Sequence, residues 1–168
     1  MQKFIVIITK ENLNLLENPK LECFILSENL SSHFKNTFAS KAKNLGKLVL
    51  GLSTSDCLAY HLDGIIIDLS HSEHIAADYK AATKDIKGKF IGAITRNRRH
   101  ESMLVSECEP DFIIFKAWQD GVNKTKELTD WYDEMFLIQS ALLLMEDIDF
   151  RNFKTDFVIL EDVHLKAA

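Results

Sequence analysis

Eight apolar runs of strand length, each closed by a turn signal, alternate with stretches where apolar residues switch to helical spacing. This alternation predicts a parallel α/β sheet carrying helices on its outside. Runs such as Gly-Ile-Ile-Ile-Asp-Leu and Asp-Phe-Ile-Ile-Phe are near-continuously aliphatic or aromatic, the mark of strands buried on both faces. Eight such units predict a closed (β/α)8 TIM-type barrel; the alternative is an open doubly wound parallel sheet of five or six strands. The strand count favours the barrel. That fold usually takes about 250 residues and seldom fewer than about 200. A chain of 168 residues is therefore expected to form a compact or incomplete barrel, with little room for an eighth helix after Leu160.

The predicted strands are Lys3 to Thr9, Leu21 to Leu26, Lys47 to Leu52, Gly64 to Leu69, Lys89 to Thr95, Asp111 to Phe115, Phe136 to Leu144 and Asp156 to Leu160. Helices are predicted where the apolar spacing becomes three or four: Phe34, Phe38, Ala42 and Leu45; Ile75, Tyr79, Ala82 and Ile86; Met103, Leu104 and Cys108; Leu128, Trp131 and Met135. Ser31 or Ser32, and then Ser72, stand where helix caps belong. The segments Glu11 to Pro19, Thr54 to His61 and Asp147 to Phe153 leave space for a helical turn or two each.

Composition is that of an ordinary globular chain, so one domain over residues 1–168 is expected. A formal charge of -5 argues against nucleic acid or an anionic membrane as partner. The apolar runs fall far short of the roughly 20 residues that a bilayer span needs. Phe4 to Ile8 is too short for a signal-peptide core, so a cytoplasmic location is expected. Cys23, Cys57 and Cys108 are odd in number and widely spaced, which indicates reduced thiols rather than a disulfide framework or a zinc site. A missing helix would expose a barrel edge, for which homodimer formation is the expected cover.

Several segments together resemble the thiamine phosphate synthase family, above all its short, divergent bacterial members. Leu62-Asp63-Gly64-Ile65-Ile66-Ile67-Asp68 is similar to the family pattern "ADGVHLG". Ile91-Gly92-Ala93-Ile94-Thr95-Arg96-Asn97, followed by Glu107 to Lys116, is similar to "IGVSTHS…EA…A…GADYIGFGP". Trp131 to Phe136 resembles "WWAELF", and Lys154-Thr155-Asp156-Phe157-Val158 resembles "GADFVAV". The resemblance runs loosely over residues 45–160 and implies a (β/α)8 barrel. It also implies thiazole phosphate and pyrimidine pyrophosphate as substrates, magnesium (Mg2+) as cofactor, and displacement of pyrophosphate by a thiazole nitrogen.

The chain departs from the family where chemistry is concentrated. The family's Gln-x-Arg-x-Lys pattern for pyrophosphate is replaced by Leu26-Ser27-Glu28-Asn29. Its magnesium carboxylates give way to Ser53-Thr54 and His71, with Asp56 and Asp68 nearby as the metal candidates. Its glycine-rich phosphate loops read Met145-Glu146-Asp147 and Glu161-Asp162, whose carboxylates would repel phosphate. Arg96 stands at the histidine of "STHS".

The remaining candidates lie at predicted strand ends, where barrel active sites are built. Thr95, Arg96, Arg98 and Lys116 are candidates for phosphate or another small anion, because Arg matches such oxygens in pairs and a helix start adds free N–H donors. The competing reading is that the arginines pair with Glu101 or Glu107 at the surface. Lys10, Thr54, Glu146 and Glu161 are further strand-end candidates. His71 and His74 make a weak metal pair, and Trp118, Trp131 and Tyr132 read as core aromatics. Three functions remain open: a synthase-like protein binding phosphorylated thiazole or pyrimidine compounds, a catalytically inactive binding or regulatory barrel, and a different barrel enzyme for a cationic small molecule.

Overall fold

A computed structural model describes residues 2–165. The eight strands are β1 (Lys3–Ile8), β2 (Cys23–Leu26), β3 (Leu48–Gly51), β4 (Gly64–Asp68), β5 (Phe90–Ile94), β6 (Phe112–Ala117), β7 (Gln139–Leu144) and β8 (Phe157–Glu161). They close into a parallel barrel in chain order, β1 pairing with both β2 and β8. The open doubly wound alternative is thereby corrected. Five helices cover the outside: α1 (Ser32–Asn44), α2 (Thr54–Ala59), α3 (Ile75–Thr83), α4 (Arg99–Glu107) and α5 (Val122–Met135). No helix among the described residues is long and apolar enough to cross a membrane.

Economy in the connections explains how so short a chain closes. The β1–β2 connection holds only a 3-10 turn, Asn14–Glu17, and α2 has six residues. The helical turn expected over Asp147 to Phe153 is replaced by irregular chain. There Ile148 and Phe153 bury themselves against Ala117 and Leu142, doing a helix's work with two side chains. After β8 a 3-10 turn, Asp162–His164, stands where a longer barrel has its eighth helix.

Alternation along the strands separates two cores. Inside the barrel lie Ile5, Ile25, Leu50, Ile66, Ile94, Phe112, Ile114, Ala141 and Ile159. The intervening residues face the helices, Phe24 meeting Phe38 of α1 at 5.3 Å and Phe115 meeting Tyr132 of α5 at 5.4 Å. Gly92 is required for this filling, since a Cβ there would lie 2.4 Å from the Phe112 ring. At Gly64 a Cβ would fall 2.1 Å from the Phe90 carbonyl oxygen, so only glycine lets β4 and β5 approach.

The foot of the barrel carries a repeated device. The Asp63 carboxylate accepts from the Val49 N–H at 2.8 Å, while the Asp63 N–H donates to the Val49 carbonyl at 2.8 Å. Asp111 does the same to Ile91 at 2.7 and 2.9 Å, and Asp156 to Ser140 at 2.9 and 3.0 Å. Each aspartate precedes an even strand and clasps one residue of the strand before it. The β3–β4 seam has only two paired positions, Leu50 with Gly64 and Gly51 with Ile65, so the Asp63 clasp lengthens the barrel's shortest ladder. Before β2 the corresponding residue is Glu22, whose longer side chain makes no such bond among the described residues.

Two local expectations are corrected. Ser31 caps α1 by accepting from the Phe34 N–H, but α3 is preceded by His74 rather than capped by Ser72. The Ser72 hydroxyl instead accepts from the His74 N–H and donates to Asp78. The seventh strand begins at Gln139 rather than Phe136, because α5 continues to Met135 and Phe136 stacks on Tyr132 at 4.6 Å.

Hydrogen bonds to a charged partner contribute about 1.5–3 kcal/mol. Asp111→Ala is therefore expected to lower unfolding stability by about 2 kcal/mol, and Asp111→Asn, which keeps an acceptor oxygen, by less. Urea midpoints measure both. An unchanged midpoint for Asp111→Ala would show that the clasp contributes nothing.

Candidate functional site

Inward-facing positions change character at the C-terminal mouth of the barrel. Past the aliphatic layer of Ile66, Ile94 and Ile114, the same alternation places Asp68 on β4, Arg96 just beyond β5 and Lys116 on β6. Thr95, Arg96, Arg98 and Lys116 all line one cavity of about 370 Å³. Ser70 and His71 complete its β4 side, and Trp118 closes the β6 side. All four anion candidates thus meet in one place.

The three arginines have three fates. Arg96 donates from Nε to the Ser70 carbonyl at 3.0 Å, which anchors its guanidinium across the β4–β5 gap. Arg98 lies on the rim, 68 % exposed, just before α4. Arg99 leaves the site and lies over the Trp131 ring at 5.0 Å. Glu101, in the first turn of α4, stands 4.0 Å from Arg96 and 3.9 Å from Arg98. It offsets the unfavourable meeting of cations with a helix N-terminus, at distances too long for hydrogen bonds.

Thr95 is buried, and its hydroxyl donates to the Arg96 carbonyl at 3.1 Å. Asn97 holds the β5–β6 wall by donating from Nδ2 to the Lys116 carbonyl at 2.8 Å. Lys116 Nζ lies 3.6 Å from Asp68 Oδ2, its side chain 19 % exposed. Asp68 also accepts from the Ser70 N–H at 2.9 Å and the Ser70 hydroxyl at 2.5 Å. Partial burial alone would raise the Asp68 carboxyl. The Ser70 hydrogen bonds and the charges of Lys116 and His71 outweigh it and hold the group below its ordinary value.

The metal candidates part company. Asp56 does not end a strand but lies in α2, where its carboxylate, 17 % exposed, meets the buried Lys35 Nζ at 2.8 Å. Lys35 also donates to the Glu28 carbonyl at 3.2 Å. Asp68 is held by Ser70 and Lys116, so the two carboxylates are not brought together, and no three His, Cys, Asp or Glu side chains converge among the described residues. His74 sits exposed before α3, while His71 lines the cavity.

The other strand-end candidates lie outside the cavity. Lys10 is exposed; Thr54 donates to the Ala82 carbonyl at 3.0 Å; Glu146 is exposed in the β7–β8 connection; Glu161 sits 3.8 Å from His164. Asp162 is structural. Its carboxylate accepts from the N–H groups of Thr9, Lys10 and Val163 and from the Thr9 hydroxyl, tying β1 to the chain after β8.

Trp131 and Tyr132 are core residues as expected, but Trp118 is 41 % exposed on the cavity. The signal for it was its position just past a strand end, which outweighs its aromatic character. Burial raises all three cysteine thiols, Cys23 to about 12 with help from Asp63, so none is primed as a nucleophile.

Removing one partner of a buried ion pair costs about 3–5 kcal/mol. With Asp56 partly exposed, Asp56→Leu is expected to lose about 3 kcal/mol, the low end of that range, in chemical denaturation, and the added change Lys35→Met to restore most of it. Burial would raise the Asp162 carboxyl, but its hydrogen bonds to Thr9, Lys10 and Val163 bring it below the ordinary 3.8. Its stabilisation is thus present above that value and lost as pH falls through the lower folded one. Asp162→Asn should destabilise the chain near neutral pH and progressively less below pH about 3.8, measured by denaturation across pH.

No family model and no curated protein matches the sequence. Among solved structures, the chain superposes on a thiamine phosphate pyrophosphorylase from Pyrococcus furiosus with a TM-score of 0.73 at 13% identity, covering 95% of this chain and 85% of that one. A variant of the citrate synthase SbnG gives 0.62 at 12% identity over 96% and 87% of the two chains. An uncharacterized B. cereus protein gives 0.59 at 13% identity, over 95% of this chain and 61% of that one. At these identities the likeness is one of fold: a TIM-type α/β barrel shared with a thiamine phosphate pyrophosphorylase and with other barrel proteins.

Proposed function

We propose that this thiamine phosphate synthase-like barrel binds a small phosphorylated molecule at the mouth formed by β4, β5 and β6, without the family's coupling reaction. The observation that carries the reading is the convergence of Arg96, Arg98 and Lys116 on one cavity of about 370 Å³. That volume suits a small ligand. Among the described residues Asp68 and Glu101 are the carboxylates within 4.0 Å of these three cations, and neither accepts a hydrogen bond from them. The Arg96 fork is held at Nε by Ser70, leaving its terminal nitrogens for an anion.

Coupling of the two thiamine precursors is disfavoured by the residues themselves. Asp56 is committed to Lys35, and no cation follows β2 before the α1 cap. A cationic substrate would need Glu146 and Glu161 at the site, and neither lines it.

Isothermal titration with inorganic pyrophosphate is expected to show saturable binding that weakens with added salt. Arg96→Ala should weaken it by roughly tenfold or more, the equivalent of about 1.4 kcal/mol. Absence of binding, or an unchanged affinity in Arg96→Ala, would remove the anion site. Incubation with thiazole phosphate, pyrimidine pyrophosphate and magnesium should give no thiamine phosphate; turnover would show that the coupling reaction survives.

A further inference from the structure

Among the described residues Lys35, Lys47 and Lys116 all have partly or wholly buried side chains, but their ammonium groups are held differently. Lys35 gives hydrogen bonds to Asp56 at 2.8 Å and the Glu28 carbonyl at 3.2 Å. Lys47 gives two, to the carbonyls of Leu16 and Asn18, both at 2.7 Å. Both ammonium groups are tied into the fold. Lys116 Nζ gives none among the described residues, its nearest anionic partner being Asp68 Oδ2 at 3.6 Å. Lys116 is thus 19 % exposed on the wall of a cavity, its ammonium ion-paired with Asp68 but giving no hydrogen bond among the described residues.

We infer that Lys116 is an imine-forming residue, and that the ligand is a small phosphorylated aldehyde or ketone. The inference rests on the anion-site reading above and names the ligand's other end. Arg96 and Arg98 take the phosphate, and the carbonyl carbon reaches Lys116 on the β6 side. A primary amine on a rigid strand is the group that forms Schiff bases with carbonyl substrates.

The step balances without an oxidant or reductant. The Lys116 ammonium first gives a proton to the Asp68 carboxylate; the freed nitrogen lone pair then forms the new N–C bond while the carbonyl π pair moves to oxygen, which takes that proton back from Asp68. The resulting protonated carbinolamine moves one nitrogen proton to that oxygen and expels it as water, leaving C=N. Overall, the lysine ammonium and one carbonyl yield a protonated iminium and one water. The positive charge is conserved throughout, and the Asp68 carboxylate beside Nζ stabilises the iminium as it stabilised the ammonium. Ser70 holds Asp68 in that position through two hydrogen bonds.

The test uses the whole chain with glyceraldehyde 3-phosphate as probe and borohydride to reduce any imine to a stable amine. Intact mass and peptide mapping are expected to show one adduct per chain, at Lys116, suppressed by excess inorganic pyrophosphate and absent from Lys116→Arg. Circular dichroism would establish that this variant is folded, and mapping on the unaltered chain needs no variant. Labelling spread over surface lysines without enrichment at Lys116 would overturn the inference. If pyrophosphate binds and Arg96→Ala weakens it while no Lys116 adduct forms, the imine fails and the anion site stands. An adduct at Lys116 that forms equally with unphosphorylated glyceraldehyde and ignores pyrophosphate would overturn the phosphorylated class of ligand.

Discussion

The reciprocal clasps at the foot of β4, β6 and β8 are the constraint on which the mouth of this barrel depends. Asp63, Asp111 and Asp156 each join one residue of the preceding strand by a side-chain and a main-chain hydrogen bond, setting register before the ladder begins. Register matters because side chains alternate with a period of two, so a slip by one residue would turn every inward group outward. Asp63 sets β4 against β3, and Asp111 sets β6 against β5. Asp68 and Lys116 therefore rise on the inside at the far end of the same strands, with Arg96 between them. The polar site at one end is a consequence of the carboxylates at the other.

Charge is handled by position in this fold. Lys35 is buried against Asp56 between α1 and α2, where an unpaired ion would be costly. Asp162 spends its acceptors on the closing seam. At the mouth the partners stand further apart, with Lys116 3.6 Å from Asp68 and Arg96 4.0 Å from Glu101. Tightly satisfied groups hold the barrel closed, and loosely satisfied ones face the cavity. This division, rather than any residue type, separates the charges tied into the barrel from those left facing the cavity.

Most of the architecture was legible in the chain because period and punctuation are local properties. All eight strands fall on the apolar runs, and four helices, α1, α3, α4 and α5, on the sets with helical spacing, while α2 fills the segment Thr54 to His61 where only a turn or two was expected. The aspartates that carried much of the family resemblance, Asp63, Asp111 and Asp156, turn out to be clasps, which is why that resemblance specified the fold more than the chemistry. The misreadings have physical causes. Asp56 looked like a strand-end carboxylate because nothing local reveals a lysine 21 positions away that will bury against it. Trp118 looked like core because aromatic character is local while exposure is not. The Asp147 to Phe153 segment looked like a helical turn, but Ile148 and Phe153 reach the barrel wall without one.

The sequence by itself determined the number and place of the strands, favoured the (β/α)8 class over an open sheet, and named Thr95, Arg96, Arg98 and Lys116 among its strand-end candidates. These follow from periodicity and from the rule that barrel sites lie past the C-terminal ends of strands. Only the tertiary structure decided which charges are already spoken for. It sent Arg99 to Trp131, gave Asp56 to Lys35 and Asp162 to Thr9, and left the Lys116 amine without a hydrogen bond among the described residues. The reason is that a hydrogen bond or ion pair depends on distances of a few tenths of an ångström between residues far apart in the chain, and closing the barrel is what sets those distances.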